Sequence, residues 1–256
     1  MYKGRYFIRE VVYICGGYMD ADIYPVFQRP GKRRSRCKPT SDIQAKLNQK
    51  NAERKVTRLI HNNFTQRDIA LHLTYKNEPK GLDEAEKNLT NFLRRLKRAY
   101  AKRSLEFKYI KTTEYGAKSG RVHHHIILSG GLDRDVLESM WGFGYANSKR
   151  LQFTEEGVTG LAHYIVKDKT QYRRWSGSRN LIQPAPIVTD GKVTMEEIER
   201  IMQNIEEHNE YTLFENLYPE YILTDATFYK NPMNRGEYIH YEMRARFVQI
   251  QEISAA

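Results

Sequence analysis

Two histidines on one face of a predicted strand are the residues of this sequence best placed for chemistry. The segment 120–128 reads GRVHHHIIL, and its β-branched residues are typical of a half-buried strand. Because strand side chains alternate between faces, His123 and His125 share one face and His124 lies on the other. Two imidazoles at this spacing can bind one divalent metal ion, with a third ligand from elsewhere. The alternative is a solvated strand face.

The third ligand predicted by the sequence is Glu114. A strand predicted over residues 105–114 precedes the histidine strand, and a glycine-containing turn joins the two, which indicates an antiparallel hairpin. By parity Glu114 lies opposite the apolar residues of its own strand, on the face of His123 and His125. The alternative is a solvated Glu near a turn.

A tyrosine and a lysine follow on a predicted helix over residues 154–171. Tyr164 and Lys167 are three residues apart and therefore neighbours on the helix surface. A metal ion can act as a Lewis acid on a phosphodiester, and Tyr164 could then attack phosphorus. Because the pKa of a free tyrosine is about 10, Lys167 is a candidate for electrostatic help. The chain has 18 tyrosines, so a core tyrosine is the alternative.

Charge is distributed unevenly along the 256 residues, whose formal net charge is +11. Residues 181–256 carry six Lys and Arg against thirteen Asp and Glu, whereas residues 1–180 carry 36 against 18. The part with the histidines is thus the basic part, which favours a polyanionic partner. We expect a basic, irregular arm over residues 1–40, an enzyme domain over 41–184 and an acidic region over 185–256.

Other signals exclude several classes of protein. Cys15 and Cys37 lack the spacing of a metal site, and a reducing compartment is the simpler expectation. The sequence shows no secretory signal, no apolar run long enough for a bilayer and no P-loop motif, so we expect a cytoplasmic protein without a membrane partner or a helicase motor of its own.

The order of the motifs resembles that of rolling-circle replication initiators of bacterial phages and plasmids, the Rep branch of the HUH endonuclease superfamily. Leu71–Tyr75 (LHLTY) is similar to the first motif, His123–His125 to the His-x-His motif, and Tyr164–Lys167 (YIVK) to the third. His124 departs from the family pattern, in which the middle residue is usually hydrophobic. The resemblance covers about residues 39–184, and 221–246 is similar to the family's tail.

The resemblance implies an α+β fold: a central antiparallel sheet of the ferredoxin/RRM-like HUH type with helices mainly on one face, and a small C-terminal α/β appendage. It also implies an enzyme that nicks one strand of a replication origin, stays attached to the 5′ phosphate through Tyr164 and rejoins the displaced strand. Mg or Mn is the implied metal, and the third ligand varies within the superfamily.

The resemblance further implies single-stranded DNA or an origin DNA hairpin as partner, with host helicase and polymerase. Only one tyrosine lies in the third motif, so closing the reaction needs a water or a second protomer, which suggests a homodimer; Tyr172 is a lesser candidate for a second nucleophile. The basic residues expected to contact DNA are Arg33, Arg34, Lys55, Arg58, Arg121, Arg173, Arg174 and Arg179.

Three rival classes remain open from the sequence. A single-strand transposase or a conjugative relaxase has the same core, but relaxases usually place the tyrosine before the histidines, and small transposases are usually shorter. A non-catalytic DNA-binding regulator would use the histidines structurally. A structural zinc protein is disfavoured because no cysteine lies near the histidines.

Overall fold

The computed structural model describes residues 6–27, 42–115, 120–153, 158–166, 175–208, 212–230 and 236–246. The chain divides into two compact units. Residues Ser41–Gln183 form one, here called the histidine unit, and residues Met1–Thr40 with Pro184–Ala256 form the other, here called the terminal unit. Among the helices described, none is long and apolar enough to cross a membrane.

The histidine unit is built on a five-stranded antiparallel sheet in the order β6-β3-β5-β4-β7. Its strands are β3 (Ile69–Thr74), β4 (Tyr109–Tyr115), β5 (Val122–Leu128), β6 (Ala146–Arg150) and β7 (Ser176–Gly177). Its helices are α1 (Asp42–Asn63), α2 (Leu82–Ala101), α3 (Arg134–Ser139) and α4 (Thr159–Val166). The predicted β4–β5 hairpin is confirmed, although β4 begins later than the sequence suggests.

One face of this sheet is covered by α2. The apolar residues of the helix recur at helical spacing, so a single stripe containing Leu89 and Phe92 is buried. This stripe packs against Leu71 of β3, Ile126 of β5 and other residues of the same strand faces. Alternation along β5 therefore gives the opposite sheet face to His123 and His125.

The opposite face is covered over part of its length by α1 and α4. Leu59 of α1 and Ile165 of α4 are buried with Ile127 of β5 and Ile110 of β4. The histidines are one and two alternations further along β5, next to this apolar cover. The expected α+β class with an antiparallel sheet is thus confirmed, and helices lie on both faces.

The terminal unit has its own five-stranded antiparallel sheet, in the order β8-β1-β2-β10-β9. Its strands are β1 (Tyr6–Cys15), β2 (Tyr18–Phe27), β8 (Ile187–Asp190), β9 (Tyr221–Lys230) and β10 (Glu237–Ala245). Its helices are α5 (Met195–His208) and α6 (Thr212–Leu217). The predicted capping box of α5 is present, since the Thr194 amide donates to Glu197 and the Glu197 amide donates back to the Thr194 hydroxyl.

The expectation of an irregular arm over residues 1–40 is wrong for residues 6–27. These residues form the β1–β2 hairpin, with Val12 and Ile23 buried. Charged residues such as Arg9 interrupt its apolar pattern, and in the fold they are satisfied by distant partners: Arg9 Nε lies 2.7 Å from Asp190 Oδ1. The neighbours of the hairpin, β8 and β10, come from the other end of the chain, where local sequence gives no sign of them.

We predict that Leu89→Ala lowers the free energy of unfolding by about 2–5 kcal/mol, because it leaves a cavity between α2 and the sheet. Lys97→Ala, on the exposed face of the same helix, is the matched control and should change little. Urea denaturation of both variants measures the difference. Equal stabilities would contradict the position of α2 on the sheet.

Candidate metal centre

Strand pairing brings the predicted metal ligands to one region of the sheet. In β4 and β5, Glu114 is directly opposite His123. In β3 and β5, His72 is opposite His125 and Thr74 is opposite His123. A single face therefore carries three imidazoles and one carboxylate, all of them on half-buried residues.

Close contacts hold these side chains together. His125 Nε2 lies 3.0 Å from Glu114 Oε1, within hydrogen-bonding distance. The ring of His72 stacks on that of His125 with centroids 4.7 Å apart, and lies 5.3 Å from that of His123. Nδ1 of His123 is buried and has no hydrogen-bond partner in the described structure. A buried ring nitrogen without a partner, on the same face as a carboxylate, is available to a ligand.

Burial keeps two of the imidazoles uncharged. It lowers the pKa of His72 to about 4, with further lowering from the neighbouring His125 and His123. The pKa of His123 is also lowered, first by burial and then by His125. Neutral imidazoles expose the lone pairs that bind metal ions.

A cavity of about 210 Å³ lies beside these histidines. His72, His125, Asn147 and Lys149 line its sheet side, together with neighbouring apolar residues. Leu161 and Ile165 of α4 line it as well. The cavity thus joins the polar part of the sheet face to the helix that contains the predicted nucleophile.

Tyr164 lies in α4, three residues after Leu161 and one before Ile165. Its backbone position is therefore in the segment that lines the cavity; its side chain lies outside the described structure. Lys167 and Tyr172 lie outside the described residues altogether. The structure brings the helix of Tyr164 to the histidine face, and the roles of these three residues stay predictions.

The middle histidine of the motif has a different environment from its neighbours. His124 is fully buried, with Nε2 2.9 Å from the Tyr75 hydroxyl and Nδ1 2.8 Å from the Thr113 hydroxyl. Burial lowers the pKa of His124 to about 3 and raises that of Tyr75 to about 12. Both groups are therefore neutral, and His124 is a structural residue of the α2 side.

The hydrogen-bond chain continues from Thr113 to a charged pair. The Thr113 hydroxyl donates to Glu86 of α2, and Lys111 forms an ion pair with the same carboxylate. Burial alone would raise the pKa of Glu86, but the hydrogen bonds from Lys111 and Thr113 outweigh it and lower the pKa. A continuous polar network therefore ties α2, β4 and β5 together beneath the histidine face.

The donor set fits a divalent metal ion. Imidazole nitrogens with a carboxylate oxygen suit manganese and similar transition metals, while magnesium prefers oxygen donors. Among the described residues of the histidine unit, no three potential ligands have donor atoms that all lie within 4.8 Å of one another. Glu114 now pairs with His125, so binding an ion to His123, His125 and Glu114 requires side-chain rotations.

A second group of potential ligands lies in the terminal unit. Asp20, His240 and Glu242 offer ligand atoms that are all within 4.8 Å of one another, so this group could hold a metal ion. His240 Nδ1 also lies 3.0 Å from Asp22 Oδ1. Nothing in the local sequence connects β2 with β10, which supply these residues.

The basic residues predicted to contact DNA have different environments. Lys55 is exposed and lies over the ring of Trp175, with Nζ 6.0 Å from its centroid, and Arg179 is exposed. Arg121 is ion-paired with Glu78 at 2.6 Å and also donates to the Tyr75 carbonyl, so part of its hydrogen-bonding capacity is already used. Arg58 is half-buried on α1. Arg33, Arg34, Arg173 and Arg174 lie outside the described residues.

Two residues at the site are not singled out by the sequence. The alternation of β3 places His72 only on the face opposite Leu71, and no motif points to Lys149. Placing either next to His125 requires the register of β3 against β5 and β6, which the local pattern does not contain. The available signal is a polar residue, His72, within an otherwise apolar strand.

Residues 68–169 match the family model of the replication-associated protein ORF2. The match is consistent with a rolling-circle replication initiator and confirms the family resemblance drawn from the motifs. The matched segment contains Glu114, His123, His125, Tyr164 and Lys167. Comparisons with curated proteins and with solved structures gave no match. The family match supports a role in initiating replication.

Thr113→Val should lower the free energy of unfolding by about 1–3 kcal/mol, because it leaves Nδ1 of His124 without a partner in a buried position. Chemical denaturation measures this loss. Thr74→Val is a suitable comparison, since Thr74 lies on the opposite face and its hydroxyl donates to the Tyr145 carbonyl in an exposed setting. A loss for Thr113→Val no larger than for Thr74→Val would contradict a structural role for the buried network.

Proposed function

We propose that this chain is a metal-dependent endonuclease and strand transferase that nicks single-stranded DNA at a replication origin and starts rolling-circle replication. Tyr164 is the proposed nucleophile, and His123, His125 and Glu114 are the proposed metal ligands. The alternatives with the same core, a single-strand transposase or relaxase, differ in the DNA that is cut rather than in the chemistry.

The observation that carries this proposal is the shared cavity. His72 and His125 line it from the sheet, and Leu161 and Ile165 line it from α4, the helix that contains Tyr164. A phosphodiester in this cavity would thus lie between the metal ligands and the backbone position of the nucleophile. The exposed Lys149 at the same cavity supplies a cation for a phosphate oxygen.

The proposed reaction is a transesterification in which bonds balance. The Tyr164 oxygen forms a bond to phosphorus, and the bond from phosphorus to the 3′ oxygen breaks. The phenol proton leaves the tyrosine, and the departing 3′ oxygen takes up a proton to become the hydroxyl that primes synthesis. The 5′ phosphate stays on the tyrosine, and attack by a 3′ hydroxyl in the reverse direction rejoins the strand.

Lys167 is proposed to stabilise the phenolate or the phosphate by its charge. Mg or Mn, held by the two histidines and Glu114, would supply Lewis-acid stabilisation of the phosphate. The imidazole content of the site favours Mn. The protein's own contribution is a partly buried ligand set at one edge of a sheet whose register fixes it.

The proposed DNA partner is single-stranded origin DNA or a hairpin within it, consistent with the excess of basic residues in residues 1–180. Host helicase and polymerase are proposed to act after nicking, and a homodimer is proposed to supply a second tyrosine for closure. A cytoplasmic location is proposed along with these partners.

We predict that the wild-type protein forms an SDS-resistant adduct with origin-like oligonucleotides in the presence of Mn, and that Tyr164→Phe forms none, because phenylalanine has no attacking oxygen. Gel electrophoresis of a labelled oligonucleotide library measures the adduct. Tyr229→Phe, which changes an exposed tyrosine of β9, is the matched control and should react as the wild type does.

Two other results would contradict this assignment. An adduct that persists in Tyr164→Phe and disappears in Tyr172→Phe would move the nucleophile to Tyr172. Binding of the library by wild type without any adduct, while a metal ion is demonstrably bound, would favour the non-catalytic regulator.

We predict that His125→Gln weakens Mn binding by at least about tenfold, since even the loss of a residue that only supports a metal ligand costs about 10- to 100-fold. Isothermal titration calorimetry measures the affinity. His240→Gln is the decisive comparison, because it tests the second group of potential ligands in the terminal unit. If His240→Gln abolishes Mn binding and His125→Gln does not, the metal belongs to Asp20, His240 and Glu242.

A further inference from the structure

We infer that His72 is a third imidazole ligand of the metal ion proposed for His123 and His125. This inference rests on the proposed metal centre and deepens it, because it adds a ligand from β3, a strand that the predicted ligand set does not use. It also changes the donor set from two nitrogens and one carboxylate to three nitrogens and one carboxylate.

The backbone places His72 in the right row of the sheet. His72 is directly opposite His125 on β5 and opposite Asn147 on β6. Its neighbours Leu71 and Leu73 are buried in the cluster on the α2 face. Alternation therefore fixes the His72 side chain on the face of His123 and His125, and no change of strand register is needed to bring it there.

The spacing of the rings matches ligands of a shared ion. At a metal–nitrogen distance of about 2 Å, the centres of two imidazoles bound to one ion lie about 5 Å apart. The ring of His72 lies 4.7 Å from that of His125 and 5.3 Å from that of His123. Rotation of the side chains about their own bonds is enough to turn the nitrogens toward a common point.

His72 also has nitrogens to offer. Within the described structure its side chain makes ring contacts with the two other histidines and no hydrogen bond. Nδ1 of His123 is likewise buried without a partner. A half-buried group of aromatic rings gains little from containing three polar imidazoles unless their nitrogens bind something.

The consequence is a preference among metal ions. Each added imidazole favours transition metals over magnesium, which takes oxygen ligands in nearly ideal octahedral geometry. His72 thereby makes the site selective for Mn over Mg. Replacing it with an amide should reduce this preference as well as the affinity.

The test uses the full-length protein loaded with Mn. Calorimetry gives the affinities for Mn and Mg, and pulsed EPR counts the nitrogens coupled to the Mn electron spin. We expect three imidazole nitrogens in the wild type, and two in His72→Gln with Mn affinity reduced by at least about tenfold. Asn147→Ala is the matched control, since Asn147 is the other cross-strand neighbour of His72 and lines the same cavity; it should keep three nitrogens.

The possible failures are distinguishable. Two nitrogens in the wild type, both lost only with His123 and His125, would overturn the inference and leave the proposed metal centre intact. Mn binding that survives in His123→Gln and His125→Gln would overturn the metal centre and the inference together. The nitrogen count in the wild type decides the question even if His72→Gln does not fold.

Discussion

The alternation of side chains along β5 is the constraint on which the rest of the histidine unit depends. His124 is buried between Tyr75 and Thr113, and this pair of hydrogen bonds fixes which residues of β5 face α2. A slip of one residue would exchange the two faces of the strand and expose Ile126 while burying His123 and His125. The cost of breaking a buried polar network makes such a slip unfavourable. The position of the proposed metal ligands is therefore set from the opposite side of the sheet.

Two kinds of polar environment thus lie back to back across one strand. On the α2 side, every polar group of the network from Tyr75 to Lys111 has a partner within the protein. On the other side, within the described part of the chain, His123 keeps an unpartnered buried nitrogen and His72 makes only ring contacts. Polar groups that are fully paired give rigidity, whereas groups left unpaired next to a cavity are available to a ligand. The chain concentrates the second kind at the place where α4 approaches the sheet.

Local periodicity in the sequence is sufficient for part of this structure. The stripe of α2, the hairpin of β4 and β5, and the common face of Glu114, His123 and His125 all follow from spacing within short segments. Pairing between distant segments cannot be predicted in this way. His72 joins the site only through its register with β5, and residues 6–27 resemble an arm because β8 and β10 complete their sheet. The burial of His124 likewise depends on Tyr75 and Thr113, which come from elsewhere in the chain.

The order of β2 and β10 in the terminal sheet has a consequence for how the protein is made. β2 lies between β1 and β10, yet β10 is the last of the described strands to leave the ribosome. Until then the hairpin has an open edge whose backbone groups can pair with another chain. The histidine unit, in contrast, is continuous in sequence and has all its described strands before β8 is translated. Nascent chains that stop after residue 183 would therefore contain a complete histidine unit and an unprotected hairpin, which makes rapid completion of translation a protection against aggregation.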